Sequence, residues 1–265
     1  MVALLAPGAP ARVLAGEVEV VASDAPGLAA LWSGTGPLSD PVASCDAAVV
    51  FSRSADLIAA LGTLPRVIEW DPQPPPGRAH AASWYAGALE ALGVPAIAQA
   101  PMLSPTPEER EAADEVARAL PQGFLALHPG SGSPSKNWPA DRFAALAEAL
   151  APRQRVLIVE GPADRDAASR VRALLPGAVI ARDLPLRVLG ALLSGAGLYV
   201  GNDSGVGHLA AAYGARCLVL FGPTDPDVWK PLGPRVRVLR APGGHLDALD
   251  VSAVSTSQAR ARPGG

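Results

Sequence analysis

The chain has 265 residues, of which 49% are hydrophobic and 18% are charged, and its formal net charge is −3. This composition is typical of a globular α/β protein, and the charge argues against general nucleic-acid binding. No apolar run reaches the roughly 18–20 residues that cross a bilayer, and the apolar stretch Met1–Ala6 lacks a basic leader. We therefore expect a cytoplasmic protein, at most in peripheral contact with the inner face of the inner membrane.

Residues 1–100 predict a shortened, doubly wound α/β domain. Strand and helix patterns alternate along this part of the chain, as they do in Rossmann-like folds. The predicted strands are Val18–Ser23, Ala47–Ser52 and Arg66–Trp70. The predicted helices are Ala25–Trp32, Ala55–Leu61 and Ala79–Leu92.

A second doubly wound domain is predicted over residues 107–250, after a Pro/Ser/Thr-rich linker at 101–106. It opens with the charged helix Pro107–Leu120, which has Pro and two Glu residues in its first turn. The predicted strands are Phe124–Leu127, Arg155–Val159, Ala178–Ile180, Leu198–Val200 and Cys217–Phe221. The other predicted helices are Ala140–Leu150, Ala163–Leu175, Leu186–Ser194 and Val206–Tyr213. The Ser/Ala/Arg/Gly-rich tail, 251–265, is predicted to be disordered.

Cysteine and histidine usage predicts neither a disulfide nor a metal site. Cys45 and Cys217 lie in or beside apolar runs and are expected as small core residues. The four histidines are scattered, without the spacing that metal ligands show.

The octet Gly201–His208, GNDSGVGH, follows an apolar strand and precedes a helical run. Asp203 or Ser204 can cap that helix, and its first amides favour an anion. His208 lies about one turn later, within reach of the same anion. The pattern predicts capture of a phosphate or pyrophosphate. The alternative is an ordinary strand–turn–helix connection with a surface histidine.

The loop His128–Pro139 follows another predicted strand and combines small residues with one cation, Lys136. Small residues let backbone amides approach an anion, and a lysine suits phosphate. The alternative is a flexible loop with a solvated lysine. The loop lacks the P-loop spacing, and no GxGxxG follows a strand. Since ligands of doubly wound sheets bind beyond the carboxyl ends of strands, the two loops are expected to share one site.

Three patterns, in this order, resemble the C-terminal half of the family 9 glycosyltransferases, which are the ADP-heptose:lipopolysaccharide heptosyltransferases and their relatives. They are K-x-W-P at Lys136, G-N-D-S-G-x-x-H at Gly201–His208, and F-G-P-T-D-P at Phe221–Pro226. The resemblance is strong over residues 120–242 and weaker over 18–120. The combination of patterns is far more specific than any single one.

The resemblance implies a GT-B architecture, in which two Rossmann-like domains face a cleft. The C-terminal domain would hold the nucleotide sugar, and the N-terminal domain would hold most of the acceptor. The implied reaction inverts the anomeric centre without a bound metal, so no cofactor besides the donor is expected. Helix-end amides and cations must then stabilise the charge that develops on the departing diphosphate.

The resemblance also implies roles for individual residues. Lys136 and His208 match residues that contact the diphosphate, and they are the candidates for stabilising the leaving group. The remaining donor-binding candidates are Ser131 and Gly132 in the loop, Asp203, Ser204 and Gly205 at the helix start, Leu184 beside the nucleoside, and Asp164 near the ribose. The alternative for Asp164 is an ordinary acid at a helix N-terminus.

Other conspicuous residues are expected to be structural. Phe221–Pro226 is interpreted as a turn that walls the cleft. Trp138 and Trp229 could face a sugar or adenine, but packing between helix and sheet is favoured. His80 and His245 are interpreted as surface residues.

The N-terminus departs from the family, whose members begin with a strand, a Gly-Asp turn and a helix. That Asp is the expected general base, and no Gly-Asp turn lies near Met1. The run LLAPGAPARVLAG resembles the family's first helix, so the first strand and the base are expected to be missing. Three explanations stay open: a start farther upstream, a member that binds without transfer, or another base, Asp24 or Asp46. Loss of a general base costs about 10²–10⁴-fold in rate.

We predict an inverting, metal-independent glycosyltransferase that moves a sugar, with heptose from ADP-heptose as the first choice. The acceptor would be a lipopolysaccharide-core glycolipid or a related glycan. The alternative is a catalytically impaired nucleotide-sugar-binding protein, or a truncated gene product without its base. A nucleotide-binding oxidoreductase is a third interpretation, which the absent glycine fingerprint disfavours.

Overall fold

The computed structural model contains two compact units, residues 1–99 and 100–265. The residues that the structure describes are 3–6, 19–22, 28, 38, 40, 42–75, 77 and 79–259. Among these residues, no helix has both the length and the apolarity that crossing a membrane requires.

The first unit contains two pairs of parallel strands. They are β1 (Ala3–Ala6) with β2 (Glu19–Ala22), and β3 (Ala48–Val50) with β4 (Val67–Glu69). Its described helices are α1 (Ala55–Leu61) and α2 (Ala81–Glu90). The predicted strands in this unit are therefore confirmed, while the helix predicted at 25–32 lies outside the described residues except for Leu28.

The strand β1 corrects one prediction. The run that begins at Leu4 is predicted to be a helix, with no strand before Val18–Ser23, but Ala3–Ala6 form a strand in parallel register with β2. The physical reason is local composition. Pro7, Gly8 and Pro10 follow in the sequence and disfavour a helix that begins at Leu4, so the short apolar run pairs as a strand instead.

Side chains cap the N-termini of both described helices of the first unit. The Ser54 hydroxyl accepts a hydrogen bond from the Leu57 N–H at 3.3 Å. His80 Nδ1 accepts from the Ala82 N–H at 3.1 Å. His80 is thus a partly exposed residue whose ring caps α2, a role that its interpretation as a surface residue did not include.

The second unit is built on a six-stranded parallel sheet in the order β10-β9-β8-β5-β6-β7. The strands are β5 (Leu125–His128), β6 (Leu157–Glu160), β7 (Val179–Arg182), β8 (Leu198–Asn202), β9 (Cys217–Phe221) and β10 (Val236–Arg240). The α-helices are α3 (Pro107–Ala117), α4 (Ala140–Leu150), α5 (Arg165–Leu174), α6 (Leu186–Ser194), α7 (Gly205–Ala212), α8 (Pro226–Trp229) and α9 (Val251–Ala259). The edge strand β10 and the helices α8 and α9 were not predicted.

The strand order creates a topological switch between β5 and β8. From β5 the chain proceeds outward through β6 to β7, then returns to β8 and proceeds through β9 to the other edge. The two central strands are paired in parallel, with His128 opposite Gly201. In sheets of this order the connections leave the two central strands in opposite directions, which opens a crevice at their carboxyl ends. His128 and Asn202, the last residues of β5 and β8, lie at that crevice.

The core of the second unit is apolar and continuous. Strands of a sheet covered on both faces are buried along their length, and β5, β6, β8 and β9 are almost entirely so. Cys217 is buried in β9, as expected for a core residue, and burial raises the pKa of its thiol to about 12. The linker segment lies against this unit, since the Leu103 N–H donates to the Ala212 carbonyl at 2.8 Å.

The tail provides a second correction. Residues 251–265 were predicted to be disordered, but Val251–Ala259 is the helix α9. Val254 is 0% exposed and belongs to the same core cluster as Trp138 and Phe143. Burial of this valine gives the segment a packing partner that its polar composition does not indicate. Residues 260–265 lie outside the described part of the chain.

Candidate functional site

The loops after β5 and β8 meet through Lys136 and Asp203. Lys136 ends a 3₁₀ turn, Pro134–Lys136, in the first loop. Its Nζ donates to the Asp203 carbonyl oxygen at 3.2 Å and to Asp203 Oδ2 at 3.1 Å. The lysine side chain is 23% exposed, while that of Asp203 is only 10% exposed. The ion pair therefore fixes a partly accessible cation beside the start of α7.

The loop after β9 joins the same carboxylate. Thr224 Oγ1 donates to Asp203 Oδ2 at 2.8 Å. Thr224 lies in the Phe221–Pro226 turn, which was expected only to wall a cleft. Its hydroxyl connects a third strand end to the ion pair, so Asp203 holds groups from the loops after β5 and β9 together.

Asn202 anchors both ends of the Lys136 loop. Its Oδ1 accepts from the Trp138 N–H at 3.0 Å, and its Nδ2 donates to the Pro129 carbonyl at 2.8 Å. Asn202 is 0% exposed. Sequence reasoning missed this role, although a polar residue at the end of an apolar strand is the signal that could have found it. Trp138 is itself buried and packs edge-on against Phe143, as the packing interpretation predicted.

The loop also holds itself in shape through Ser131. Its Oγ lies 2.6 Å from the Ser133 carbonyl and 2.7 Å from Asn137 Oδ1, and it accepts from the Ser133 N–H at 3.2 Å. Gly132 is exposed, and a Cβ at its position would meet nothing within 4 Å. The loop is therefore an ordered turn with an open glycine.

His128 connects two predicted site residues that lie far apart in sequence. Its Nδ1 is 3.1 Å from Ser204 Oγ, and its Nε2 is 3.0 Å from Asp164 Oδ2. The residue is 1% exposed. Sequence reasoning did not select His128, although a histidine ending a buried apolar strand is an unusual polar position.

Asp164 is the N-cap residue of α5, but its side chain makes no capping hydrogen bond. Burial acts to raise the pKa of Asp164, yet the hydrogen bond and charge of His128, with help from the Gly161 amide, hold the pKa below its ordinary value. Gly130 makes room for this carboxylate, because a Cβ there would lie 2.1 Å from Asp164 Oδ1. The carboxylate is thus committed to His128 rather than to the helix.

Helix α7 begins without a side-chain cap. Ser204 is its N-cap residue, yet its hydroxyl makes no capping bond. The prediction that the side chain of Asp203 or Ser204 caps the helix is therefore wrong, and for Ser204 the reason is that its hydroxyl is bonded to His128. The Asp203 carboxylate is occupied by Lys136 and Thr224. Amides at such a helix start carry partial positive charge and favour an anion.

The remaining predicted residues lie along the same edge of the sheet. Gly205 opens α7, and His208 lies in the first turn of that helix, where both are exposed. Leu184 is half-buried in the turn between β7 and α6. Hydrogen bonds thus join Lys136 to Asp203, and Asp164 to Ser204 through His128. The other candidates lie on the loops, or in the first turn of α7, that follow the carboxyl ends of the strands.

Comparison with known proteins identifies the family. The model of Glycosyltransferase family 9 (heptosyltransferase) matches residues 67–254. Lipopolysaccharide heptosyltransferase 1 of Pseudomonas aeruginosa is 37% identical over 105 residues, which are 39% of this chain and 30% of that protein. The chain spans about a third of the length of the curated relatives it matches.

Solved structures share the fold. The ADP-heptose lipopolysaccharide heptosyltransferase II of Escherichia coli superimposes with a TM-score of 0.78 at 20% identity, over 98% of this chain and 88% of that one. The E. coli heptosyltransferase WaaC, solved with ADP, gives a TM-score of 0.63 at 19% identity, over 97% of this chain and 88% of that one. The predicted α/β, GT-B-like fold is confirmed. Because the family model covers more than half of the chain, this protein belongs to glycosyltransferase family 9.

Proposed function

We propose that the chain transfers a sugar from a nucleotide diphosphate sugar to a glycan or glycolipid acceptor. ADP-heptose is the proposed donor and the lipopolysaccharide core the proposed acceptor, because matched family members carry those substrates in their names. The observation that carries the proposal is the Lys136–Asp203 pair beside the uncapped start of α7. A fixed cation beside helix-start amides that no side chain caps, at a switch point of the sheet, suits a diphosphate.

In this proposal the diphosphate lies against the first turn of α7. The backbone N–H groups of Ser204 and Gly205 donate to it, Lys136 supplies a cationic contact, and His208 donates from a ring N–H. The open Gly132 lets the loop backbone approach, and Ser131 keeps that loop in shape. Asp164 and Leu184 border the nucleoside on the β6 and β7 side of the site. Selection of the base and the sugar then falls to these neighbouring loops.

The proposed reaction breaks the bond between the anomeric carbon and the distal phosphate oxygen. The bonding electrons leave with the nucleoside diphosphate, whose negative charge rises in the transition state. Lys136 and the α7 amides are in place before that charge develops, which is the condition for effective electrostatic stabilisation. The acceptor hydroxyl gives up its proton to a base while its oxygen attacks the anomeric carbon from the opposite face, so the new C–O bond forms with inversion of the anomeric centre. The role proposed for these groups requires no metal ion.

The general base has no assignment. Asp46 precedes the amino end of β3, whereas ligands of parallel sheets bind at carboxyl ends, so Asp46 is disfavoured. Asp24 lies outside the described residues. The residues that follow β1 are Pro7 and Gly8 rather than Gly-Asp. This observation supports the alternative proposal of a protein that binds the nucleotide sugar and transfers it slowly or not at all.

The test begins with calorimetric binding of ADP, UDP and GDP to the full chain. The proposal expects selective ADP binding that falls at least about tenfold in Lys136→Ala and in His208→Ala, a loss of about 1.4 kcal/mol. Lys230→Ala removes the only other lysine of the chain, which is exposed, and is the matched control. Equal binding by wild type and both site variants would contradict the proposed donor site.

Turnover separates the two proposals. ADP release from ADP-heptose is followed with and without heptose-free lipopolysaccharide core as acceptor. Acceptor-dependent release that is lost in Lys136→Ala supports transfer. Tight ADP binding with no release above the uncatalysed rate supports the binding protein instead.

The predicted cytoplasmic location and contact with the inner membrane stay predictions.

A further inference from the structure

We propose that His128 is a positioning residue for the donor site, which holds the Ser204 hydroxyl away from the first amides of α7. The inference rests on the proposed function, because it concerns the helix start at which the diphosphate would bind. His128 itself is buried and would not touch the ligand. It acts through Ser204.

The orientation of the ring follows from its two partners. The Asp164 carboxylate can only accept a hydrogen bond when ionised, so the ring nitrogen that faces it, Nε2, carries a proton. The other ring nitrogen, Nδ1, lies 3.1 Å from Ser204 Oγ. Because Asp164 fixes the orientation of the ring, the bond to Nδ1 fixes the direction of the Ser204 hydroxyl, whichever of the two groups donates.

The direction of that hydroxyl decides what the helix start can bind. A serine at an N-cap normally turns its oxygen toward the second or third amide of the helix and accepts from it. Ser204 makes no such bond in α7. The helix thereby forgoes a local stabilising contact, and its amides stay available to an anion.

The three residues are brought together only by the fold. His128 ends β5, Asp164 precedes α5, and Ser204 precedes α7, and the sequence separations from His128 are 36 and 76 residues. Gly130 leaves the space into which the Asp164 side chain enters. The arrangement links the loop on the nucleoside side of the proposed site to the helix on its diphosphate side.

The first experiment uses ADP affinity of the full chain, measured by calorimetry. His128→Phe removes both ring hydrogen bonds, so Ser204 is released to cap α7, and we expect affinity to fall about fivefold, the equivalent of one capping bond. His128→Asn places a carbonyl oxygen near the position of Nδ1 and keeps an acceptor for Ser204, so it should stay within about twofold of wild type. His128→Gln places its amide near Nε2, serves Asp164 only, and should behave like His128→Phe.

The second experiment is a double-variant cycle with Ser204→Ala. Alanine has no oxygen to cap the helix, so adding Ser204→Ala to His128→Phe should recover affinity relative to His128→Phe alone. A merely structural role predicts the opposite order, in which the double variant binds worse than either single one. Thermal midpoints are recorded for all variants, because loss of packing would follow stability rather than this pattern of rescue. His245→Phe, at an exposed histidine outside the network, is the matched control.

The results distinguish failure of the proposed donor site from failure of the proposed role of His128. If wild type binds no ADP, both the donor site and the role of His128 are overturned. If wild type binds ADP and His128→Phe and His128→Gln bind it equally well, only the role of His128 is overturned. Rescue by Ser204→Ala, together with retention in His128→Asn, establishes that His128 acts through the Ser204 hydroxyl. Additive losses in the double variant contradict it.

Discussion

Lys136 and Asp203 are separated by 67 residues in sequence, yet Lys136 Nζ lies 3.2 Å from the Asp203 carbonyl oxygen and 3.1 Å from its carboxylate. Both residues belong to loops that leave adjacent central strands of a parallel sheet. The Asp203 carboxylate therefore fixes the position of the Lys136 cation beside the start of α7, where no side chain caps the helix.

The contact between Lys136 and Asp203 predicts that neutralising the Asp203 carboxylate weakens the binding of an anionic ligand. A simple Coulomb argument expects that removal of a carboxylate strengthens binding of an anion. We expect the reverse for Asp203→Asn, because Lys136 loses the group that positions it and the Thr224 hydroxyl loses its acceptor. ADP affinity measured by calorimetry should fall, by about three- to tenfold. Asp227→Asn, at an exposed acid of α8, is the control and should not weaken binding. Tighter ADP binding by Asp203→Asn would refute the positioning role.

The lowered pKa of Asp164 predicts a pH dependence of stability. A carboxyl whose pKa is lower in the folded state stabilises the fold above its unfolded pKa, about 4, and that stabilisation is lost as the pH falls through the folded pKa. Asp164→Asn should therefore be less stable than wild type at neutral pH, and the difference should narrow below about pH 4. Urea unfolding at pH 7 and at pH 3 measures it. Asp166→Asn, at an exposed acid on the same helix, is the comparison variant. A difference that stays constant with pH would contradict the role of the His128 contact.

Two glycines of the same loop should respond differently to alanine. A Cβ at Gly130 would lie 2.1 Å from the Asp164 carboxylate, whereas one at Gly132 meets nothing within 4 Å. Because Asp164 is held by His128 and cannot move without breaking that bond, Gly130→Ala should cost about 1–3 kcal/mol of unfolding free energy. Gly132→Ala should change stability little. Denaturant unfolding compares the pair, and equal stabilities would show that the Asp164 side chain is free to move.

Helix α9 should contribute to the stability of the second unit. Val254 is fully buried, and the Leu249 carbonyl before the helix accepts hydrogen bonds from Trp138 Nε1 and Arg142 Nη1. Deletion of residues 251–265 should lower the thermal midpoint, because burial of one valine side chain alone provides about 1.5–3 kcal/mol. Deletion of 260–265 only is the control. If both deletions melt at the same temperature as the full chain, α9 does not stabilise the unit.

Much of the fold was predictable because apolar periodicity is a local property. Helices Ala55–Leu61, Ala140–Leu150 and Leu186–Ser194 agree with their predicted bounds. The errors occurred where local signals were weak. The first strand lies in a run that is predicted to be helical. The polar composition of residues 251–259 did not indicate a helix, and the helix there has one buried side.

The candidate site was predictable in part for the same reason. Small residues, a lysine and a predicted helix start follow two of the predicted strands. These features can be recognised in the sequence without knowledge of the fold. The sequence did not indicate that Asn202 would clamp both ends of one loop, or that Thr224 would share the Asp203 carboxylate. Such contacts depend on which strands are neighbours, and strand order is not a local property.

The class of the fold, the family and the chemical character of the loops after β5 and β8 could be predicted from the sequence alone, because these depend on local apolar patterns and on short motifs. Only the tertiary structure decided which side chains meet. It placed His128 between Asp164 and Ser204 and left the start of α7 uncapped. The physical reason is that a hydrogen bond needs two groups within about 3 Å, and the parallel strand order β10-β9-β8-β5-β6-β7 of the second unit brings residues from distant parts of the chain to that distance.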